Sequence, residues 1–392
     1  MERADKSIKI ILLVIFGLIQ LELHAQSDSL VPKKDKIKIS GYIKDLQNLS
    51  FFRNSEQIID GNLIHNRINL KYGRAVGLSS ALEMRNRIFW GELLQQTPGF
   101  SIALKDQNEL LDLSILWIDR PDLVMHTNID RFWLQYRSER LEMRIGRQRI
   151  NWGISTLWNP NDIFNTYDFL DFDYEERPGR DAIKLNYQWG EMSYLELAAT
   201  SSKALKNKVI AIKYFFNEQF YDYQFIAGYF KNTMTIGVGW SGSIGNIGFK
   251  GESQYYFKHQ STNSLLNLTL EMDYLFENSW YIGGGFLYNS MGYNKPLTDW
   301  SAISFDLSPQ YLMPTKWNTT FSLRKQFTPL FNGSLTGIYS PGTNLVILLP
   351  ALSYNMATNF DLDLVFQSFF AEEQKSFNGL SHTVFLRTKW SF

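Results

Sequence analysis

The stretch "LLNLTLEMDYLF", residues 265–276, places Leu266, Leu268, Leu270, Met272, Tyr274 and Phe276 on one face of an extended chain. Asn267, Thr269, Glu271 and Asp273 fall on the other. An alternation of period two is the mark of a strand with one face against an apolar medium. "RLEMRIG" (140–146) sets Leu141, Met143 and Ile145 against Glu142 and Arg144, and "WNTTFSLRK" (317–325) repeats the pattern. Strands in soluble sandwiches run to about five or six residues. These are about nine to thirteen, the length of a tilted strand that crosses a membrane.

Working outward, nineteen such stretches read as strands: 37–47, 63–73, 77–90, 108–118, 127–138, 140–149 and thirteen more, ending at 381–392. The chain closes with "HTVFLRTKWSF", an amphipathic strand ending on Phe392 and similar to the C-terminal signal of bacterial outer-membrane barrels. An open sheet edge is not viable in lipid, so closure is expected. The fold expected is all-β, a transmembrane antiparallel β-barrel. Single-chain bacterial barrels use even strand numbers, so the count is set at eighteen, with sixteen as the alternative. The wall is expected to start at residue 63, leaving 26–62 as a periplasmic or plug segment.

Arg3, Lys6 and Lys9 precede the apolar run "IILLVIFGLIQL" and a small residue at Ala25, which reads as a signal peptide over 1–25. No later segment approaches the roughly 18 apolar residues of a membrane helix. The 392-residue chain has no cysteine, which removes disulfides and thiolate metal sites. Its 39 basic and 39 acidic residues balance, and nucleic acid is not expected as a partner. The partners expected are outer-membrane lipid, the barrel-assembly machinery through Phe392, and a small solute. No cofactor or metal is expected. His65, His126, His259 and His382 lie apart, outside any Ser-His-acid context, so the chain is read as a non-enzyme.

One insert breaks the regularity. "GRQRINWGISTLWNPNDIFNTYDFLDFDYEERPGRD" (146–181) crowds arginines, tryptophans and acids together, and the connection it forms, 150–180, is the longest between strands. Unstructured connections of that length are uncommon unless functional. Simple alternation from Met143 and Ile145 would aim Arg147 and Arg149 at lipid, so a glycine bulge or inward turn is expected at Gly146. The residues Gly146, Arg147, Gln148, Asn151, Trp152, Gly153, Asn159, Pro160, Asp162, Arg177, Pro178 and Gly179 form a pattern that resembles a motif of alginate-exporter-like and related outer-membrane porin families. That resemblance implies a passive diffusion channel whose constriction is lined by a loop.

The expected constriction residues are Arg147, Gln148, Arg149, Asn151, Trp152, Asp162, Arg177 and Arg180. Pairs between these arginines and the loop's own acids, Asp162, Asp171, Asp173, Glu175 and Glu176, are expected to pin the loop inside the barrel. The polar strand faces predict a basic wall of Arg67, Arg85, Arg87, Arg131, Arg137 and Arg144, joined by Arg387 across the seam. Opposite it lies an acidic wall with Glu252, Glu271 and Asp273, and the two would set up a transverse field. The loop's aromatics are either platforms for solutes or a small core of the loop itself. The reading is a channel for small polar or oligosaccharide solutes; the alternatives are a plugged channel for hydrophobic solutes and a structural barrel of the envelope.

Overall fold

The computed structural model describes residues 36–53, 55–73, 76–105, 109–173, 178–203, 207–258, 263–298 and 303–392. The signal-peptide reading and Glu175, Glu176, Arg177 and His259 lie outside them. Nineteen strands form one antiparallel sheet. In chain order they are β1 (Lys36–Phe52), β2 (Ile58–Gly73), β3 (Gly77–Trp90), β4 (Ser114–Arg120), β5 (Leu123–Arg137), β6 (Leu141–Gln148), β7 (Arg180–Gly190), β8 (Ser193–Thr200), β9 (Val209–Glu218) and β10 (Tyr221–Phe230). Then follow β11 (Thr233–Ile244), β12 (Ile247–Tyr256), β13 (Leu265–Leu275), β14 (Trp280–Asn289), β15 (Trp317–Thr328), β16 (Phe331–Ser340), β17 (Leu345–Ala357), β18 (Phe360–Glu373) and β19 (Ser376–Ser391). Two one-turn helices, α1 (Glu92–Gln95) and α2 (Phe100–Ala103), sit between β3 and β4.

The sheet closes where β1 pairs with β19, Tyr42 opposite Ser391 and Phe52 opposite Ser381. Eighteen strands make the wall, and the odd one out is β4. It pairs only with β5, at 123–128, while β6 takes the same edge of β5 at 132–137. β6 leaves the wall at Gln148, and β4 fills the place above it.

This corrects the expected start of the wall. Residues 36–52 are a full barrel strand, paired on one edge with β19 and on the other with β2, so 36–62 is neither plug nor periplasmic segment. The stretch read as 108–118 is the supernumerary strand instead.

Connections sort by rim. Those on the rim that carries Phe392 run from two residues (191–192, 219–220, 245–246) to four (276–279). The opposite rim carries 149–179 and 290–316, with tight turns at 231–232 and 374–375. At these two, both turn residues have positive φ (Lys231 and Asn232, Gln374 and Lys375), as the strand twist requires of a two-residue hairpin.

Outward positions are apolar almost everywhere. Ile212, Phe225, Phe321, Leu352 and Phe366 stand exposed, while the alternate residues Ala211, Gln224, Thr320, Ala351 and Val365 face in. A closed barrel with an apolar exterior is a membrane-spanning surface. Trp390 and Phe392 pack together at the terminal rim, 5.4 Å between ring centroids, as interfacial aromatics do.

Candidate functional site: a loop wound inside the barrel

The described part of the connection 149–179, residues 149–173, turns into the barrel and runs along its inner wall. Two features of the sequence start that turn. At Gly146 φ is +114°, and a Cβ there would overlap the carbonyl of Phe132, so only glycine fits. Pairing with β5 and β7 passes through Gly146 without a shift of register, so the expected bulge is replaced by a local twist of the strand. The second feature is what covers Arg147. Its guanidinium pairs with Asp181 directly across the ladder, Nε to Oδ1 2.9 Å, and donates to the carbonyl of Leu111 at 2.6 Å. Leu111 in turn donates its amide to Asp181 at 2.9 Å. The connection before β4 therefore shields the pair from lipid.

Beyond β6 the loop is fastened by wall carboxylates that accept its main-chain amides. Glu252 on β12, fully buried, accepts from Ser155 at 2.5 Å and Asn161 at 2.8 Å, and also from Ile154. Glu271 on β13 accepts from Thr156 at 2.8 Å and Leu157 at 3.2 Å. Gln224 on β10 donates to the carbonyl of Trp152, and Asn161 donates to Val238 on β11. The Asn-Pro-Asn-Asp run is thus a docking turn: Asp162 donates its amide back to Asn159 at 3.1 Å, and the amide of Asn161 points at the wall.

Farther on, Gln367 of β18 donates to the carbonyl of Leu170, and Arg387 of β19 lies 4.5 Å over the ring of Phe172. Asp173 meets Lys44 of β1 at 2.5 Å and His65 of β2 at 2.9 Å. The loop touches the wall from β8 through β13 and again from β18 through β2 before it returns to β7.

Aromatics form the loop's footing. Trp152 and Trp158 are each 1% exposed. Trp152 meets Phe164 edge-on and donates Nε1 to Glu196, inside a cluster with Ala198, Ala211 and Ile226. Trp158 lies in a second cluster with Leu287, Ile338 and Ile347, which also gathers Leu312 and Met313 of the 290–316 connection. Of the two readings of the aromatics, Trp152, Trp158 and Phe164 follow the core one. Inward positions near the far rim mix small or apolar residues such as Ala198, Ala211 and Ile338 with buried amides such as Gln254, Asn267, Asn289 and Asn318.

The expected pore-wall charges are engaged locally. Arg67 pairs with Glu83 at 2.7 Å and Asp130 at 2.6 Å, and Arg85 pairs with Asp130 at 3.1 Å. Asp130 is the extra residue of a bulge in the β3–β5 ladder, which turns its carboxylate to these arginines. Arg131 donates to the carbonyl of Asp130, Arg87 meets His126 at 3.3 Å, and Arg144 holds Gln135 and covers Trp133. Arg137 pairs with Glu142, and Arg387 with Asp363 at 2.8 Å. Asp273 stands half-buried opposite Gly248. Five of these arginines thus have a carboxylate partner, Arg144 through Glu142 at 3.4 Å, whereas Arg87 meets a histidine and Arg131 a main-chain carbonyl.

The pinning scheme also differs from expectation. Arg147 and Arg180 engage acids outside the loop, Asp181 and Glu109. Gln148 is buried and donates to the carbonyl of Ala182, whereas Arg149 and Asn151 are exposed. Asp162 is buried against the amide of Trp152. Lys44, Glu196 and Gln224 were not singled out in the sequence, and only their inward parity could have marked them.

Two loop carboxyls titrate apart. Burial alone would raise Asp173, but the hydrogen bond from His65 and the Lys44 ammonium outweigh it and hold it well below the usual range. Asp171 keeps an exposed surface, yet desolvation by the protein around it, helped by the charge of Asp173, pushes it up to about 6.

No family model and no curated protein matches the chain, and the alginate-exporter-like resemblance of the motif has no further support. Solved structures do match. Pseudomonas aeruginosa OccK2 (OpdF), in complex with glucuronate, aligns at TM-score 0.59 and 10% identity over 91% of this chain and 98% of that one. Pseudomonas aeruginosa OpdK with vanillate gives 0.58 and 11% over 91% and 98%. Acinetobacter baumannii OccAB4 gives 0.58 and 10% over 92% and 99%. At such identities the likeness is one of architecture: the chain is built as a closed eighteen-stranded barrel like those of the Occ/Opd outer-membrane porins.

Proposed function

We propose that the chain is a passive channel of a Gram-negative outer membrane, with the wound loop 149–179 as its constriction and small polar solutes as its cargo. The observation that carries this reading is the fastening of the loop from inside, by Glu252, Glu271 and Asp173, around most of the wall. A loop held at so many points narrows a lumen without needing a separate plug domain. The likeness to structures solved with glucuronate and vanillate supports small polar solutes. The motif's resemblance to alginate-exporter-like porins supports a passive channel with a loop-lined constriction. The rim bearing Phe392 is taken as periplasmic, which leaves the long connections outside. We read the chain as carrying no catalytic site and as reaching the membrane through the assembly machinery that recognises Phe392.

The two apolar clusters inside the far half of the barrel favour one competing reading, a sealed barrel with a structural role. Liposome swelling separates the two. Vesicles holding the protein are placed in isotonic glucuronate or arabinose. Swelling above protein-free vesicles supports the channel; its absence in both solutes favours the sealed barrel.

A further inference from the structure

One part of the outer surface departs from the apolar rule. In β1, β2, β3 and β5 the residues that alternate with inward Lys44, Arg67, Arg87 and His126 include Asp45, Asn66, Asn86 and Thr127, and these share the outward face. They are joined across the sheet, with Asn66 opposite Asn86 and Asn86 opposite Thr127 in register. Thr127 donates to Asn86 at 2.8 Å, Asn86 to Asn66 at 3.0 Å, and Asn66 to the carbonyl of Tyr42 at 3.2 Å. On β1, Gln47 donates to Asp45 at 2.7 Å, and that carboxylate has no other hydrogen-bond partner among the described residues.

The strip is not a rim feature. Along the outward face Asp45 is preceded by Ile43, 45% exposed, and followed beyond Gln47 by Leu49, 47% exposed. Asn66 lies between Ile64 and Ile68, and Asn86 between Met84 and Ile88. Each polar group therefore sits within the apolar band. The corresponding outward residues of β15 to β18, such as Phe321, Leu335, Leu352 and Phe366, are apolar. A carboxylate and a row of amides facing acyl chains are unfavourable, and such groups inside a membrane normally face protein.

We infer that this face packs against a second copy of the chain within the membrane. The occupant must itself be embedded, and it must offer hydrogen-bond donors and acceptors at mid-depth; only helices and closed barrels are embedded at that depth. The strip is made largely of carboxamides, each both donor and acceptor, so it is complementary to another strip of its own kind. The strands that carry it are 17, 16, 14 and 15 residues long, against 8 in β6 and in β8. Crossing needs only about 9–11, so this side stands tall enough to extend the contact past the bilayer. The inference is independent of the channel reading.

The absence of native cysteine allows a single probe. The purified full barrel carrying Ile64→Cys or, on the far wall, Phe321→Cys is labelled with bimane and placed in vesicles of brominated phospholipid. Particle mass is measured in parallel by native mass spectrometry. The expected result is a mass of more than one chain, strong quenching at 321, and several-fold weaker quenching at 64. Adding Asn66→Leu and Asn86→Leu should give single chains with quenching at 64 restored, while heat-modifiable migration shows the barrel still folded. A single-chain mass for the parent barrel overturns the inference. So does a multi-chain mass with equal quenching at 64 and 321, which places the contact on another face. A variant that stays folded and associated, with 64 still protected, overturns the role of the strip.

Discussion

The carboxylate of Glu252 and the amide of Asn161 lie 2.8 Å apart, although 91 residues separate them in sequence. The same carboxylate takes the amides of Ile154 and Ser155, so one wall residue fixes the path of the loop where it crosses β11 and β12.

Replacing Glu252 with alanine leaves three loop amides without their acceptor. Each buried amide left unpaired costs about 1–3 kcal/mol, less where water enters. We expect Glu252→Ala to lower the stability of the folded barrel by about 3 kcal/mol in a urea titration, whereas Glu252→Gln keeps one acceptor oxygen and loses less. Equal losses for the two would mean that the amides are not what the carboxylate serves.

Arg147 and Asp181 form a pair whose side chains are 2% and 9% exposed. Removing one partner of such a pair strands a buried charge, at a cost of about 3–5 kcal/mol. Arg147→Ala and Asp181→Ala should each destabilise to that extent, and Arg147→Met with Asp181→Leu should recover part of it. A double variant as unstable as the sum of the singles would contradict the pairing.

Asp171 supplies a pH dependence. Its folded value is raised, to about 6, above that of a free aspartate. Protonation therefore favours the folded loop: the benefit is full below about pH 4 and is lost as pH rises through about 6. The charge in the lumen follows the same course. Reversal potentials under a salt gradient should become more cation-selective from about pH 5 to about pH 7, and Asp171→Asn should flatten that change. A profile unaltered by the substitution would assign the titration to another group.

Gly146→Ala tests the exit from the wall. With φ at +114° and the Phe132 carbonyl against its Cα, any side chain forces β5 and β6 apart. The folded fraction on refolding, read by heat-modifiable migration, should fall sharply. Normal refolding would show that the turn into the lumen does not depend on this residue.

The barrel was legible because lipid on one side and a filled lumen on the other impose a strict period of two, and most strands carry it unmistakably. β1 reads as a strand over 37–47, yet falls outside the expected wall because nineteen candidates exceed an even count. Its polarity offered no counter-argument, since Lys44 faces in while Asp45 and Gln47 face out. Its outward polar residues belong to the strip inferred to meet a second copy, a constraint that a single strand's pattern does not reveal. The site was legible only by parity. Glu252 and Glu271 were placed on the inner face, but their partners are main-chain amides of the loop, and those have no signature in side-chain identity. Likewise Arg147 and Asp181 look like loop and strand residues of unrelated purpose until the ladder sets them opposite each other.

The most direct test of the account is single-channel conductance in planar bilayers, comparing the wild-type barrel with Glu252→Ala/Glu271→Ala, in which both wall carboxylates that accept the loop's main-chain amides are gone. The account predicts small, steady openings from the wild type and distinctly larger ones from the variant, as the loop leaves the inner wall and the lumen widens. Identical conductances from two folded barrels would contradict it, because the wound loop would then not be what limits the pore.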